Sequence, residues 1–412
     1  MVKLSILHPI LVFILFSTAI TILLKDSIVK VLISKNSSVD TKKTFVFESA
    51  GWVDDVFTST NTLCRISLAV GLQFPDRFEL NPANYSLSQI SLDSSVRQGL
   101  PTCGKGDVAD LSGFWVLPCN NSCSTILRCE IEQARWLSEK CRHLDYIGLS
   151  HPLQRTTELR NCLSSQTIIA TGDSVLRGPL LRMISPLVTQ EEVALHQGHS
   201  FSTIMGDHGV RIYWDYIAKN ALLPHETRDE PTADRVLSHM VDQHIPRTVW
   251  KDRPATWVIG GTRSYLTDFE NWLESCETEN KFGCPWRKSN GGLGSTLVVK
   301  GSTISARWAK SCGSSNVTEC FHQIYTAEDA IRTKARKSGY GWFDVLDMTL
   351  TLWPQLRPGD AGEYACHFCL PDPPVGRPIP QWDEWKGGNV CANVANILAT
   401  EICGDRSRLS EI

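Results

Sequence analysis

Residues 4–24 (LSILHPILVFILFSTAITILL) contain no Asp, Glu, Lys or Arg. As a helix rising about 1.5 Å per residue, such a run spans about 30 Å, the hydrocarbon thickness of a bilayer. Pro9 lies near its start, and membrane helices tolerate proline. A cleaved signal peptide would carry an apolar core of only about 7–15 residues and a small-x-small site after it. This run is longer, and Lys25-Asp26 closes it without such a site. The expectation is a transmembrane signal anchor over 4–24, with residues 1–3 as a cytoplasmic stub. Met1–Lys3 offers little charge for the positive-inside rule, so the orientation has to come from elsewhere in the chain.

It comes from the cysteines. The chain has 15 of them, and all follow the apolar run. Disulfides persist in the secretory lumen and not in the cytosol, so the body is expected there, in a single-pass type II arrangement of the Golgi or endoplasmic reticulum. Four Asn-x-Ser/Thr sequons, at Asn36, Asn84, Asn120 and Asn316, lie on the same side as glycosylation candidates. Because 15 is odd, at least one thiol stays outside any intrachain pairing. With 42% hydrophobic and 21% charged residues, the 412-residue chain reads as globular and not as disordered. Its 41 Lys+Arg against 44 Asp+Glu leave a net charge of −3, with no basic excess to displace nucleic-acid counterions. No nucleic-acid partner is expected.

Residues 25–60 are polar-rich without a sustained period and read as a lumenal stem. The rest, 61–412, reads as one domain. Its first part, 61–165, holds Cys64, Cys103, Cys119, Cys123, Cys129, Cys141 and Cys162 among turn-rich stretches, which suggests a disulfide-stapled, loop-rich region. From 166 the texture changes. Short apolar runs end in Gly or a polar residue: TIIAT at 167–171, TWVI at 256–259, TLVV at 296–299 and WFDVL at 342–346. Helical stretches such as 329–337 fall between them, the pattern of a mainly parallel α/β sheet flanked by helices. The glycine-rich segment at 289–295 (SNGGLGS) lacks the Lys-Ser/Thr of a phosphate loop and reads as a turn.

The sharpest local feature is TIIATGDSVLRGPLLRMI at 167–184. A strand runs into Gly172-Asp173-Ser174, then into a segment with helical apolar spacing; Pro179 is expected in or near the first helical turn. That arrangement puts Ser174 at the carboxyl end of a strand and the N-terminus of a helix, where backbone N–H groups can stabilise an oxyanion. Gly172 permits the tight turn and close approach of an acyl group. A serine nucleophile needs a base, normally histidine, and the histidine needs an orienting carboxylate. A bare Gly-Asp-Ser is equally at home as a helix cap.

TGDSVLR at 171–177 and, much later, YACHFCLPD at 364–372 resemble the blocks of the PC-esterase group. That group includes the trichome birefringence-like polysaccharide O-acetyltransferases and is similar to the GDSL/SGNH hydrolases in fold. GFWVLPCNNSC with RWLSEKC (within 113–141) and VRIYWDYI at 210–217 resemble further segments of the group, in the same order, and QWDEW follows at 381–385. The resemblance covers roughly residues 100–400. It implies an SGNH-hydrolase-like sheet and acetyl transfer to hydroxyls of a polysaccharide or glycan. Ser174 would be the nucleophile and His367 the general base, with Gly172, Asp173 and Arg177 in support. No cofactor would be tightly bound; an acetyl donor such as acetyl-CoA would be a co-substrate.

One departure matters. The acidic residue that the group carries three positions before the histidine is Tyr364 here. Asp360, in a glycine-flanked loop, is the first choice as orienter and Glu363 the second; a Ser-His dyad is the third option. No clear asparagine serves the oxyanion hole, but Gly260 and Gly261 at the end of the TWVI run can offer backbone N–H groups. Two other readings stay open: a carbohydrate acetyl esterase using the same site, with water as acceptor, and a non-catalytic glycan-binding relative. Trp214, Trp382 and Trp385 are candidate walls of a glycan groove, because aromatic faces stack on sugar rings. Cys366 and Cys369 form a CxxC, but its place late in the chain favours structural disulfides over redox work. A zinc set of Cys366, Cys369, Cys391 and Cys403 is poorly spaced. His196 and His199 have no evident third ligand, so no metal is expected.

Overall fold

The computed structural model describes residues 52–54, 62–68, 85–107, 112–119, 134–149, 157–172, 174–185, 187, 202–205, 209–216, 254–260, 296–301, 317–346, 348–349 and 389–404. The expected anchor (4–24) and most of the stem lie outside the described residues. Among the described residues, no helix is long and apolar enough to cross a membrane.

The α/β core forms as the apolar runs predict. Strands β5 (Thr167–Gly172) and β8 (Ala255–Gly260) are buried at every position, and β9 (Thr296–Lys300) at all but its first. Runs of Thr, Ile and Val suit such strands, because both faces of a parallel sheet are covered and β-branched side chains pack well on the pleat. With β6 (Ser202–Met205), β7 (Arg211–Tyr216) and β10 (Gly341–Phe343) they make a six-stranded sheet in the order β10-β9-β8-β5-β7-β6. Five strands are parallel, and only the edge strand β6 runs antiparallel. The run at 342–346 is a strand only as far as Phe343, and the helical stretch at 329–337 is the end of a longer helix, α4.

The cysteine-rich part is more ordered than its turn-rich sequence suggests. Strands β1 (Leu63–Leu68), β2 (Tyr85–Ile90), β3 (Gly113–Pro118) and β4 (Arg135–Ser138) build a second, antiparallel sheet in the order β2-β1-β3-β4. Trp115 and Trp136 meet edge to face on it, 5.6 Å between centroids. Residues 52–54, which the sequence assigns to the stem, belong to this body. Val53 is buried, its N–H donates to the His143 carbonyl, and the Asp54 carboxylate binds both Arg97 and Arg142. The folded body therefore begins before residue 60.

Five helices complete the described fold: α1 (Ser94–Gly99), α2 (Thr157–Ser164), α3 (Ser174–Ile184), α4 (Val317–Lys337) and α5 (Asn389–Cys403). Helix α3 is buried almost all round, and Pro179 sits in its interior rather than in its first turn. There the ring removes one hydrogen bond of the helical ladder. Helix α5 is buried from Val390 to Ile402, and its apolar side joins Leu176, Leu180 and Ile184 of α3 in one core cluster. Its polar side meets the N-terminal part: Asn393 Oδ1 accepts from Trp136 N at 3.0 Å, and Asn396 bridges Tyr146 N and the Leu144 carbonyl, both at 2.8 Å.

Seven of the described cysteines are disulfide-bonded. Cys64–Cys119 ties β1 to the end of β3, Cys103–Cys141 closes the neighbouring loop, and Cys162–Cys403 joins α2 to α5 across 241 residues of chain. Cys391 is disulfide-bonded too, so two of the four conceivable zinc ligands are already committed. Breaking the 162–403 bridge with Cys403→Ser restores chain entropy to the unfolded state. The expected cost is about 2–5 kcal/mol, read as a lower denaturation midpoint under non-reducing conditions.

His143 lies at the junction of these parts. Its ring is buried, Nδ1 is 3.4 Å from Thr400 Oγ1, and Nε2 has no hydrogen-bond partner among the described residues. Burial, reinforced by the Arg97 charge and only partly opposed by Asp54, pushes its pKa down to about 4. The unfolded chain, with its histidines near 6.5, then binds the proton more readily than the native state. Stability is full above about pH 6.5 and falls as pH drops toward about 4, by about 3 kcal/mol in all. Chemical denaturation between pH 7 and 5 is expected to show this slope in wild type and a shallower one in His143→Gln.

Candidate functional site

The order of the parallel strands sets where a site can form. In chain order they are β5, β7, β8, β9 and β10, and in space β7 lies on one side of β5 while β8, β9 and β10 follow on the other. The winding therefore reverses between β5 and β8. In such doubly wound sheets, the connections leaving two adjacent strand ends diverge at this point and open a crevice at the carboxyl edge.

Both strands that flank the reversal end in glycine. Gly172 and Gly260 are register partners, the last pair of the β5–β8 ladder. A Cβ on Gly172 would run into the Gly260 carbonyl oxygen and come within 2.9 Å of Leu176 Cδ2. A Cβ on Gly260 would strike the Cβ of Lys300. The absence of side chains brings two backbones and the start of a helix together at the strand ends. Ser174 is the first residue of α3, two positions past Gly172. The first N–H groups of a helix lack intrahelical partners, so the start of α3 offers backbone donors close to the end of β5.

The structure thus brings together three of the residues singled out in the sequence: Gly172, the backbone of Ser174, and Gly260. Arg177, one turn into α3, is 5% exposed, so its charge is held inside the body beside the crevice helix. Trp214 requires a correction. It lies in β7, 1% exposed and within the main core cluster, so its ring packs the sheet and leaves no face for a sugar. Asp173, Gly261, Asp360, Glu363, His367, Trp382 and Trp385 lie outside the described residues, as do the sequons Asn36, Asn84, Asn120 and Asn316, and also His196 and His199. Among the described residues, no group of three or more metal-ligating side chains occurs.

Two polar residues at the same edge escaped the sequence reading. Lys300, the last residue of β9, is 1% exposed, and its Nζ donates to the Gly301 carbonyl at 2.9 Å. The Thr171 hydroxyl is buried at the end of β5, without a hydrogen-bond partner among the described residues. A signal for Lys300 exists in the sequence: a lysine closing the apolar run TLVV is either a buried cation or a strand terminator. The run alone does not say which.

No protein-family model matches the chain, and no solved structure gives a significant match.

The glycine pair yields a direct test. Gly260→Ala forces a methyl group against the Lys300 stem, and overpacking of this kind costs about 1–3 kcal/mol. A lower thermal midpoint is expected for Gly260→Ala, and a larger drop for Gly172→Ala, whose methyl meets backbone rather than a side chain.

Proposed function

We propose that this chain transfers an acetyl group to hydroxyls of a polysaccharide or glycan through an acyl-Ser174 intermediate. It would do so as a lumenal enzyme of the Golgi or endoplasmic reticulum, held by its N-terminal anchor. The observation that carries the reading is the Gly172–Gly260 pair at the reversal of the parallel sheet, with Ser174 opening α3 directly beyond it. A glycine-lined strand end beside a helix N-terminus is the setting a serine nucleophile needs, and the resemblance of the 171–177 and 364–372 segments to the PC-esterase group points the same way.

The chemistry runs in two balanced halves. The Ser174 oxygen bonds to the acetyl carbonyl carbon of the donor while its proton passes to His367. The resulting oxyanion is met by backbone N–H groups at the start of α3 and after β8, around Gly260 and Gly261. The tetrahedral centre collapses, the donor's leaving group departs, and it takes the proton from His367. A sugar hydroxyl then attacks the acyl carbon, its proton going to His367. The ester passes to the sugar, and Ser174 regains its hydrogen from His367. Asp360, through His367 Nδ1–H, would orient the imidazole.

The test offers the full-length protein an acetyl donor with glycan acceptors. Wild type is expected to show acetyl groups on the acceptor, and Ser174→Ala to reduce the rate by at least about 10³-fold, as loss of a covalent nucleophile does. Equal acetylation by Ser174→Ala would sink the mechanism. Net release of acetate from an acetylated glycan, with no transfer, would assign water as the acceptor instead.

A further inference from the structure

We infer that the free edge of β2 pairs antiparallel with β2 of a second copy of this chain, so that the antiparallel sheets of two copies join about a two-fold axis. In an antiparallel ladder every second residue turns both its N–H and its C=O toward the same neighbour. Strand β2 has β1 on one side only, so its other backbone groups face outward without a partner among the described residues. Leu87, Ser88 and Gln89 are exposed. Among the described residues two large apolar side chains are exposed, Leu87 at 38% and Val96 at 62%. Both lie in the stretch 85–99 that forms β2 and α1.

Sheets protect an open edge with lysines, prolines, bulges, very short strands or a covering element. Strand β2 has none of the first four. Its sequence YSLSQI carries no charge and no proline, and its six residues pair with β1 in unbroken register from Tyr85–Leu68 to Ile90–Leu63. No described residue covers it. The opposite edge of the same sheet is managed differently: β4 has four residues, all buried, and Asn393 of α5 accepts from its Trp136 N. At one edge of the parallel sheet, β10 has only three residues, with Trp342 and Phe343 buried. An edge without such protection is a template for strand addition.

A second copy suits this edge because the edge complements itself. Like charges set opposite each other in a strand pair repel, but β2 has none. The charges of 85–99 are Asp93 and Arg97, opposite in sign, and Arg97 is held by Asp54. A two-fold axis sets one residue opposite its own copy. For two six-residue strands the overlap is greatest when that residue is Leu87 or Ser88. Two-fold pairs are also the commonest assembly of identical chains. The expected anchor at 4–24 works in the same direction, since copies held on one membrane surface meet at a raised effective concentration. The inference does not depend on the acyl-serine reading.

The experiment measures the mass of the full-length chain in detergent by sedimentation over a concentration series. Wild type is expected to dimerise with a Kd of about 1–10 μM, as small interfaces do. The double variant Leu87→Lys, Ser88→Lys places ammonium groups opposite each other and is expected to raise that Kd by at least about tenfold. If the double variant does not fold, Ser88→Lys alone is expected to weaken the dimer in the same direction. A second readout is cross-linking. Directly opposed residues of an antiparallel pair have Cα atoms about 4.5–5.5 Å apart, within disulfide reach. Either Leu87→Cys or Ser88→Cys is therefore expected to give a disulfide-linked dimer on non-reducing gels, above any seen in wild type or in Thr333→Cys on the exposed side of α4. A wild type that stays monomeric at about 100 μM overturns the inference, whether or not Asn84, just before β2, carries a glycan. A dimer that is unmoved by the lysines and cross-links at neither position also overturns it and places the contact elsewhere. Equal cross-linking at Thr333→Cys overturns it as chance collision.

Discussion

The fold depends on a polar contact more than on any apolar one: the docking of α5 onto the segment that runs from β4 to residue 149. Among the described residues the two sheets are separate, with no strand of one paired to a strand of the other. Asn393 accepts from Trp136 N at 3.0 Å and donates toward the Ala134 carbonyl, and Asn396 does the same for Tyr146 N and the Leu144 carbonyl. Each asparagine thus serves as a short piece of backbone, completing the hydrogen bonding of a chain segment beyond the reach of the sheet ladder. A buried N–H or C=O left without a partner costs about 1–3 kcal/mol, so a slip of α5 by one turn would orphan several groups at once. Apolar burial draws the helix in, but the amides decide its register.

The other links between the two halves reinforce that register. Glu401 accepts from Gly106 N at 2.8 Å, and its other oxygen lies where Gly341 would carry a Cβ. Trp115 of β3 donates to the Met348 carbonyl beyond β10. Asp54 holds Arg97 and Arg142 together, and the Arg142 guanidinium lies 4.4 Å over the Trp52 ring. The Arg97 and Asp54 charges both act on His143, so the junction is dense in charge yet buried. Burial above all, with Arg97 adding to it and Asp54 opposing it, favours the neutral imidazole there, so the junction loses stability on the acid side. The Cys162–Cys403 bridge fastens the far end of α5 covalently.

How much of this could be read from sequence follows from the physics of each element. β5, β8 and β9 were legible because strands covered on both faces must be apolar throughout, and the glycines that end β5 and β8 mark where backbones approach. β1 to β4 were not legible. β4 is four residues long and includes a buried arginine, while β2 (YSLSQI) is an edge strand with Leu87 exposed. Their pairing is specified by partners distant in sequence and by the Cys64–Cys119 bridge, not by local period. Helix α5 was missed for a related reason. Asparagine normally favours caps and turns, and NVCANVANILATEIC becomes a helix because Asn393 and Asn396 bond another segment instead of their own backbone. The places of Gly172 and Gly260 at strand ends and of Ser174 at a helix start were legible as punctuation. Trp214 misled, because an aromatic beside a motif serves a core as readily as a groove.

The constraints at the sheet edge bear on what chemistry the crevice can carry. Gly172 and Gly260 leave the reversal point without side chains, so selectivity there has to come from backbone donors and from neighbouring strands. Arg177 on α3 and Lys300 on β9 are buried cations on elements that border the reversal, and buried acids accompany them: Glu328 of α4, whose Oε2 would lie 3.4 Å from a Cβ on Gly301, and Asp344 after β10, 3.6 Å from Arg332. The first N–H groups of α3, which lack intrahelical partners, bias the edge toward negative charge. A reaction that builds up an oxyanion gains from that bias in its transition state and not in its neutral ester ground state, which is the condition for the field to raise kcat rather than merely tighten binding.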